Sequence, residues 1–107
     1  MWTVIVGIAL LLVSATNFFN PTIIADDKVI EAFQDSPQKP SSKYMDFNGR
    51  KIHYVEVGEA QKPLILFIHG SPGSWSDFMG LLSSPELNQQ YHMIAIDRFG
   101  QGKTGGD

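Results

Sequence analysis

Two short runs built almost wholly of apolar residues, Leu64-Ile-Leu-Phe-Ile68 and Tyr91-His-Met-Ile-Ala-Ile96, constrain this chain more than any other feature. Each is too short for a buried helix and is bounded by turn residues, so each reads as a strand of a sheet covered on both faces. Leu64–Ile68 is expected to be a central strand. Between the runs, Ser74-Trp-Ser-Asp77 fits a helix start with Ser74 as N-cap. Trp75, Phe78, Met79 and Leu82 then fall at i, i+3, i+4 and i+7, on one helical face. Pro85 disfavours helical backbone at Ser84, where this helix is expected to end. A strand, a helix and a strand in about 30 residues is the length of a right-handed βαβ crossover, which makes the two strands parallel.

Upstream, Tyr44-Met-Asp-Phe47 and Lys51-Ile-His-Tyr-Val-Glu-Val57 flank Asn48-Gly49, a pair that tolerates the positive φ angles of a two-residue hairpin turn. Alternation sends Ile52 and Tyr54 to one face and His53, Val55 and Val57 to the other. His53 therefore reads as a packed or rim residue. Residues 20–42 read as a linker, because Asp35-Ser-Pro-Gln-Lys-Pro-Ser-Ser42 offers turn and extended conformations without an apolar face. That linker holds one candidate helix, Asp26–Gln34, capped by an Asp and placing Val29, Ile30 and Phe33 on one side. Nothing before Lys43 is expected in a packed core, leaving about 65 residues for a domain over 43–107.

Residues 1–19 are apolar and uncharged, with Val13-Ser14-Ala15 resembling a cleavage site, although no Lys or Arg precedes the run. This segment reads as a signal peptide or a membrane anchor. The chain is accordingly expected to be exported, secreted or periplasmic, or to associate with a membrane through residues 1–19.

Composition excludes several classes of function. Eight basic against 11 acidic residues give a net charge of −3, with no basic stripe for nucleic acid. There is no cysteine, and His53, His69 and His92 lack ligand spacing, so neither a disulfide framework nor a metal site is expected. No cofactor is implied.

Chemistry concentrates in the loops that follow the two apolar strands, His69-Gly-Ser-Pro-Gly-Ser74 and Asp97-Arg-Phe-Gly-Gln-Gly-Lys-Thr104. Both lie at carboxyl ends of expected parallel strands, the side of an open α/β sheet where ligands bind. In the first loop the glycines allow a tight path, Pro72 restricts it, and the loop feeds a helix start whose amides favour negative charge. In the second, Asp97 and Arg98 are expected to fix the loop by hydrogen bonds. Ser74 is explained as a cap, and His92 as a packed strand residue.

An apolar strand ending in His-Gly-Ser-Pro-Gly, then a helix, then a strand ending in Asp97-Arg98-Phe99-Gly100-Gln101-Gly102, resembles the α/β-hydrolase family. The resemblance runs from Lys43 to the C-terminus. It implies an α/β fold comprising a β-hairpin and then a βαβ unit of a mostly parallel sheet, incomplete here because only the first strands are present, so that Leu64–Ile68 is expected to be unpaired on one side with an exposed apolar edge. It implies a hydrolase acting on a small-molecule ester, amide, epoxide or similar electrophile. By resemblance the Ser71 backbone N–H contributes to the oxyanion hole, since Pro72 has no N–H to give. His69, Gly70, Pro72, Gly73 and Trp75 would shape the loop and wall the pocket, His69 as a structural histidine. A cis peptide at Ser71-Pro72 is a family feature to look for. No Gly-x-Ser-x-Gly occurs, so the family's nucleophile, acid and catalytic histidine fall beyond residue 107, and the fragment alone is expected to be inactive.

Two other readings compete. A non-catalytic secreted binding protein could keep the same fold without its chemistry. A P-loop nucleotide binder is suggested by Gly100-Gln-Gly-Lys-Thr104, but that motif requires glycine where Asp97 stands.

Overall fold

The computed structural model describes residues 23–105. The expected signal peptide or anchor at residues 1–19 lies outside them, and among the described residues no helix is long and apolar enough to cross a membrane. The elements are helix α1 (Asp26–Ala32), strands β1 (Ser41–Phe47), β2 (Arg50–Val57) and β3 (Leu64–Ile68), a 3₁₀ turn (Trp75–Phe78), helices α2 (Met79–Leu82) and α3 (Pro85–Gln90), and strand β4 (His92–Ile96).

The four strands form one mixed sheet in the order β1-β2-β4-β3. β1 and β2 are the expected antiparallel hairpin, closed by Asn48 at φ 54° and Gly49 at φ 82°, both in the left-handed region that a tight hairpin turn requires. β4 pairs antiparallel with β2, and parallel with β3 from Leu64 opposite His92 to Ile68 opposite Ile96. Strand alternation sorts the residues into two unlike faces. His53, Val55, Val57, Met93 and Ala95 are buried on one face, beneath Trp75, Leu82 and Phe33, with the rings of Phe67 and Phe78 4.9 Å apart. The other face carries no helical layer among the described residues.

The exposed apolar edge expected for β3 in this chain is present. The strand lies at the edge of the described sheet, and Leu64, Leu66 and Ile68 are 56%, 53% and 56% exposed. Its apolar run suits a strand covered on both faces, but these residues cover only one. The edge leaves a row of unpaired backbone groups beside an apolar surface, a combination that favours association.

The segment before Lys43 is corrected. Phe33 is 2% exposed and belongs to the core, and Ser36 donates a hydrogen bond to the Ser83 carbonyl at 2.5 Å. Val29 and Phe33, one turn apart, reach the core, whereas Ile30 sits about 100° further round and is 72% exposed. The N-cap is Ala25 and makes no side-chain bond; Asp26 and Asp27 occupy the first turn, where negative charge suits the helix dipole. The expected single helix after Ser74 is split into the 3₁₀ turn and α2. Ser84 then caps α3 by accepting from the Leu87 N–H, with Pro85 in the first turn where its missing N–H costs nothing.

One polar network pins the outer face. Glu56 on β2 pairs with Lys43 across the hairpin and with His92 on β4, each at 2.5 Å. The hydrogen bond from Lys43, then that from His92, holds the Glu56 carboxyl below the usual carboxylate range, and the same pairing raises the Lys43 ammonium. A carboxyl depressed on folding stabilises fully above its unfolded pKa, and that contribution is lost as pH falls through the folded value. A carboxyl-carbon NMR titration of the full chain should find Glu56 titrating below the usual range. Lys43→Met should return it upward, and an unchanged midpoint in that variant would contradict the assignment.

Candidate active site

The loops after β3 and β4 leave the carboxyl ends of adjacent parallel strands and are joined side by side, with Asp97 at their base. It is completely buried. Its Oδ1 accepts from the Trp75 N–H at 2.7 Å, and its Oδ2 accepts from the Lys103 N–H at 2.9 Å and from His53 Nδ1–H at 2.7 Å. The strand end is fixed as well, because the Asp97 N–H donates to the His53 carbonyl at 2.9 Å. A buried carboxylate must have its lone pairs satisfied, and here the donors come from β2, from the first turn after the β3 loop, and from its own loop.

Two further contacts tie the loops together. His69 Nδ1–H donates to the Gly70 carbonyl, which leaves Nε2 to accept from the Arg98 N–H at 3.0 Å. Gln101 Oε1 accepts from the Gly73 N–H at 2.8 Å. Both loops need glycine for space. A Cβ on Gly73 would stand 2.4 Å from Asp77 Oδ2 and 2.9 Å from the Gly70 carbonyl oxygen, and one on Gly102, at φ 56°, would stand 2.2 Å from the Asp97 carboxyl carbon. The Arg50 guanidinium stacks 3.5 Å above the Phe99 ring, bracing the second loop from β2.

The residues singled out in the sequence separate into a buried and an exposed set. His69, Gly73, Ser74 and Trp75 are buried, whereas Gly70, Ser71 and Pro72 stand at the surface. The Ser71-Pro72 bond is cis, and the Ser71 N–H makes no hydrogen bond to another described residue. Ser74 caps the turn, its Oγ accepting from the Ser76 N–H at 3.2 Å. Pro72, Gly73, Ser74, Ser76 and Asp77 border a cavity of about 420 Å³ closed by Ile23 and Ile24. Trp75 lines a different cavity, of about 640 Å³, between α1 and the buried face of the sheet.

The P-loop alternative is not built. The Lys103 N–H is held by Asp97, and the Thr104 hydroxyl accepts from the His53 N–H at 2.8 Å, so these groups shape the loop instead of cradling phosphate. Sequence reasoning assigned loop fixing to Asp97 but not to its partner His53, and missed Gln101. Neither leaves a local signal, because their partners are 44 and 28 residues away.

A mixed sheet with helices, the hairpin leading and both loops at carboxyl strand ends, is the N-terminal portion of the α/β-hydrolase fold. Epoxide hydrolase A from Mycobacterium thermoresistibile superposes with a TM-score of 0.58 at 28% identity, over 64% of this chain and 21% of that one. Haloalkane dehalogenase DbeA from Bradyrhizobium elkani does so with a TM-score of 0.54 at 30% identity, over 64% and 23%. Among curated proteins, Epoxide hydrolase 1 of Caenorhabditis elegans is 39% identical over 59 residues, which are 55% of this chain and 14% of that protein. Epoxide hydrolase 4 of Homo sapiens is 39% identical over 57 residues, 53% and 15%. The matched region thus spans about one-seventh of these relatives' length. No family model matches the chain.

Removing the Asp97 carboxylate strands three donors in a dry site. Leaving a buried donor without its acceptor typically costs about 1–3 kcal/mol. In Asp97→Ala the Trp75 and Lys103 amides should lose hydrogen-exchange protection together while those of the β1–β2 hairpin keep theirs. Retained protection at both amides would show that the loops are held by other means.

Proposed function

We propose that this chain is the N-terminal part of a hydrolase that opens epoxides, with the β3 loop stabilising the negative charge that forms on the departing oxygen or on an acyl oxygen. The observation that carries the reading is the pair of loops locked together at the carboxyl ends of β3 and β4, with the Ser71 N–H making no hydrogen bond to another described residue. The neighbouring Gly73 and Trp75 amides are engaged by Gln101 and Asp97 and hold the loop in place, and the family resemblance makes Ser71 its donor. Among the electrophiles open to this fold, the epoxide is favoured by the names of the relatives in worm and human.

The role of Ser71 is a main-chain role, which separates two substitutions in the longer enzyme. Ser71→Ala keeps the N–H and should lower kcat only modestly. Ser71→Pro removes it, and loss of one such donor typically costs about 100- to 1000-fold in kcat. Melting curves must show that the proline variant still folds. Equal damage from both changes, or near-normal kcat in a folded proline variant, would refute the backbone assignment. The 107-residue chain alone is expected to open no epoxide, because the resemblance places the ring-opening nucleophile further along; diol formation from styrene oxide by this chain would refute that.

A further inference from the structure

Ser42, His53 and Asp97 form one continuous hydrogen-bonded line. Because an ionised Asp97 Oδ2 can only accept, its contact at 2.7 Å calls for a proton on His53 Nδ1, and in the neutral ring Nε2 is then the acceptor. Ser42 Oγ lies 2.5 Å from that Nε2. The tilted Tyr44 ring, centred 5.1 Å from the imidazole, packs against it. The acid end of the line is sealed, with Asp97 fully buried and His53 1% exposed. The hydroxyl end is open: Ser42 belongs to the exposed strand β1 and borders the 640 Å³ cavity.

We propose that Ser42 is a nucleophile activated by His53 with Asp97 behind it, accepting acyl groups from esters of apolar carboxylic acids. A serine hydroxyl attacks poorly until a neighbouring base takes its proton, and a base performs best when a third group fixes its tautomer. Here the Trp75 and Lys103 amides fix the carboxylate, the carboxylate fixes the ring, and the ring faces the hydroxyl. In the reaction Ser42 Oγ bonds to the ester's carbonyl carbon as its proton passes to His53 Nε2. The bond from that carbon to the alkoxy oxygen then breaks, and the imidazolium returns the proton to the departing oxygen. The products are an Oγ-acyl Ser42 and an alcohol, with no change of oxidation state. Asp97 stays ionised throughout and stabilises the imidazolium.

The cavity selects the acyl group. Ile24, Val29, Phe33, Val55 and Trp75 give it apolar walls that would bury a hydrocarbon chain. Lys39 and Lys103 also line it, and their ammonium groups suit a carbonyl oxygen that gains negative charge. Lys39 is held in place by the Phe33 carbonyl at 2.8 Å.

Ser41 provides an internal comparison, since it occupies the same exposed strand and makes no bond to a histidine among the described residues. The full chain is treated with an alkyl fluorophosphonate, and adducts are located by peptide mass spectrometry. Ser42 should be labelled about 100-fold faster than Ser41, the low end of what general-base assistance supplies. His53→Gln should bring Ser42 down to the Ser41 rate. Nitrophenolate release from p-nitrophenyl butyrate should exceed that from the acetate and vanish in Ser42→Ala. Similar labelling of Ser41 and Ser42 in the unaltered chain would overturn the proposal whether or not any variant folds. Unchanged Ser42 labelling in His53→Gln would overturn it too, and release that ignores acyl length would overturn the apolar assignment. Epoxide opening by the longer enzyme does not use Ser42, so the two readings fail separately.

Discussion

A carboxylate with no access to water sits where every described element of the site converges. Asp97 gathers one N–H from the start of the 3₁₀ turn, one from its own loop and one from the His53 ring. Burying such a charge costs several kcal/mol unless its lone pairs are filled, so the surrounding backbone is organised around supplying donors. Gly102 has no side chain because the carboxylate occupies the place a Cβ would take. Thr104 turns its hydroxyl to the His53 N–H, closing the loop over the same point. The neighbouring histidine does a related job with a neutral ring, as His69 spans from its own loop to the Arg98 amide.

The fold was legible where its cause is local. Asn48-Gly49 between two β-branched and aromatic segments specifies a hairpin through backbone sterics alone, and the lengths of the two apolar runs with the intervening helical stretch specify parallel strands. Ser74 as a cap was legible for the same reason. Apolar periodicity states how much cover a strand wants, so Leu64–Ile68 reads as a central strand of a whole sheet, and with only the first strands at hand its exposed edge is expected too. One lapse lies before Lys43, where Val29 and Phe33 fall on one helical face but the prolines that follow make the segment read as a linker outside the core. By contrast α3 was missed although Ser84-Pro85-Glu86 is a helix-start signature in its own right.

The candidate site divides in the same way. The glycines, the proline and the position of the loop after a strand follow from sequence and elementary backbone geometry. The cross-loop bonds from Gln101 and His53 do not, because a hydrogen bond between distant residues leaves no spacing to read. Fold alone would not define chemistry, since one architecture serves many reactions. Here side-chain oxygens, and not backbone carbonyls, accept the Gly73 and Trp75 N–H groups, which fixes the far end of the loop.

The contact between Trp75 and Asp97 also joins stretches that lie far apart in the chain. The loop at 69–74 lies immediately after β3, but the acceptor that shapes its far end arrives 22 residues later, and the histidine that orients that acceptor lies 44 residues before it. Closing such separations costs chain entropy that only the docked sheet repays. The form of the loop therefore depends on β4 lying between β2 and β3, so a stretch encoded early in the chain takes its shape from residues that come well after it.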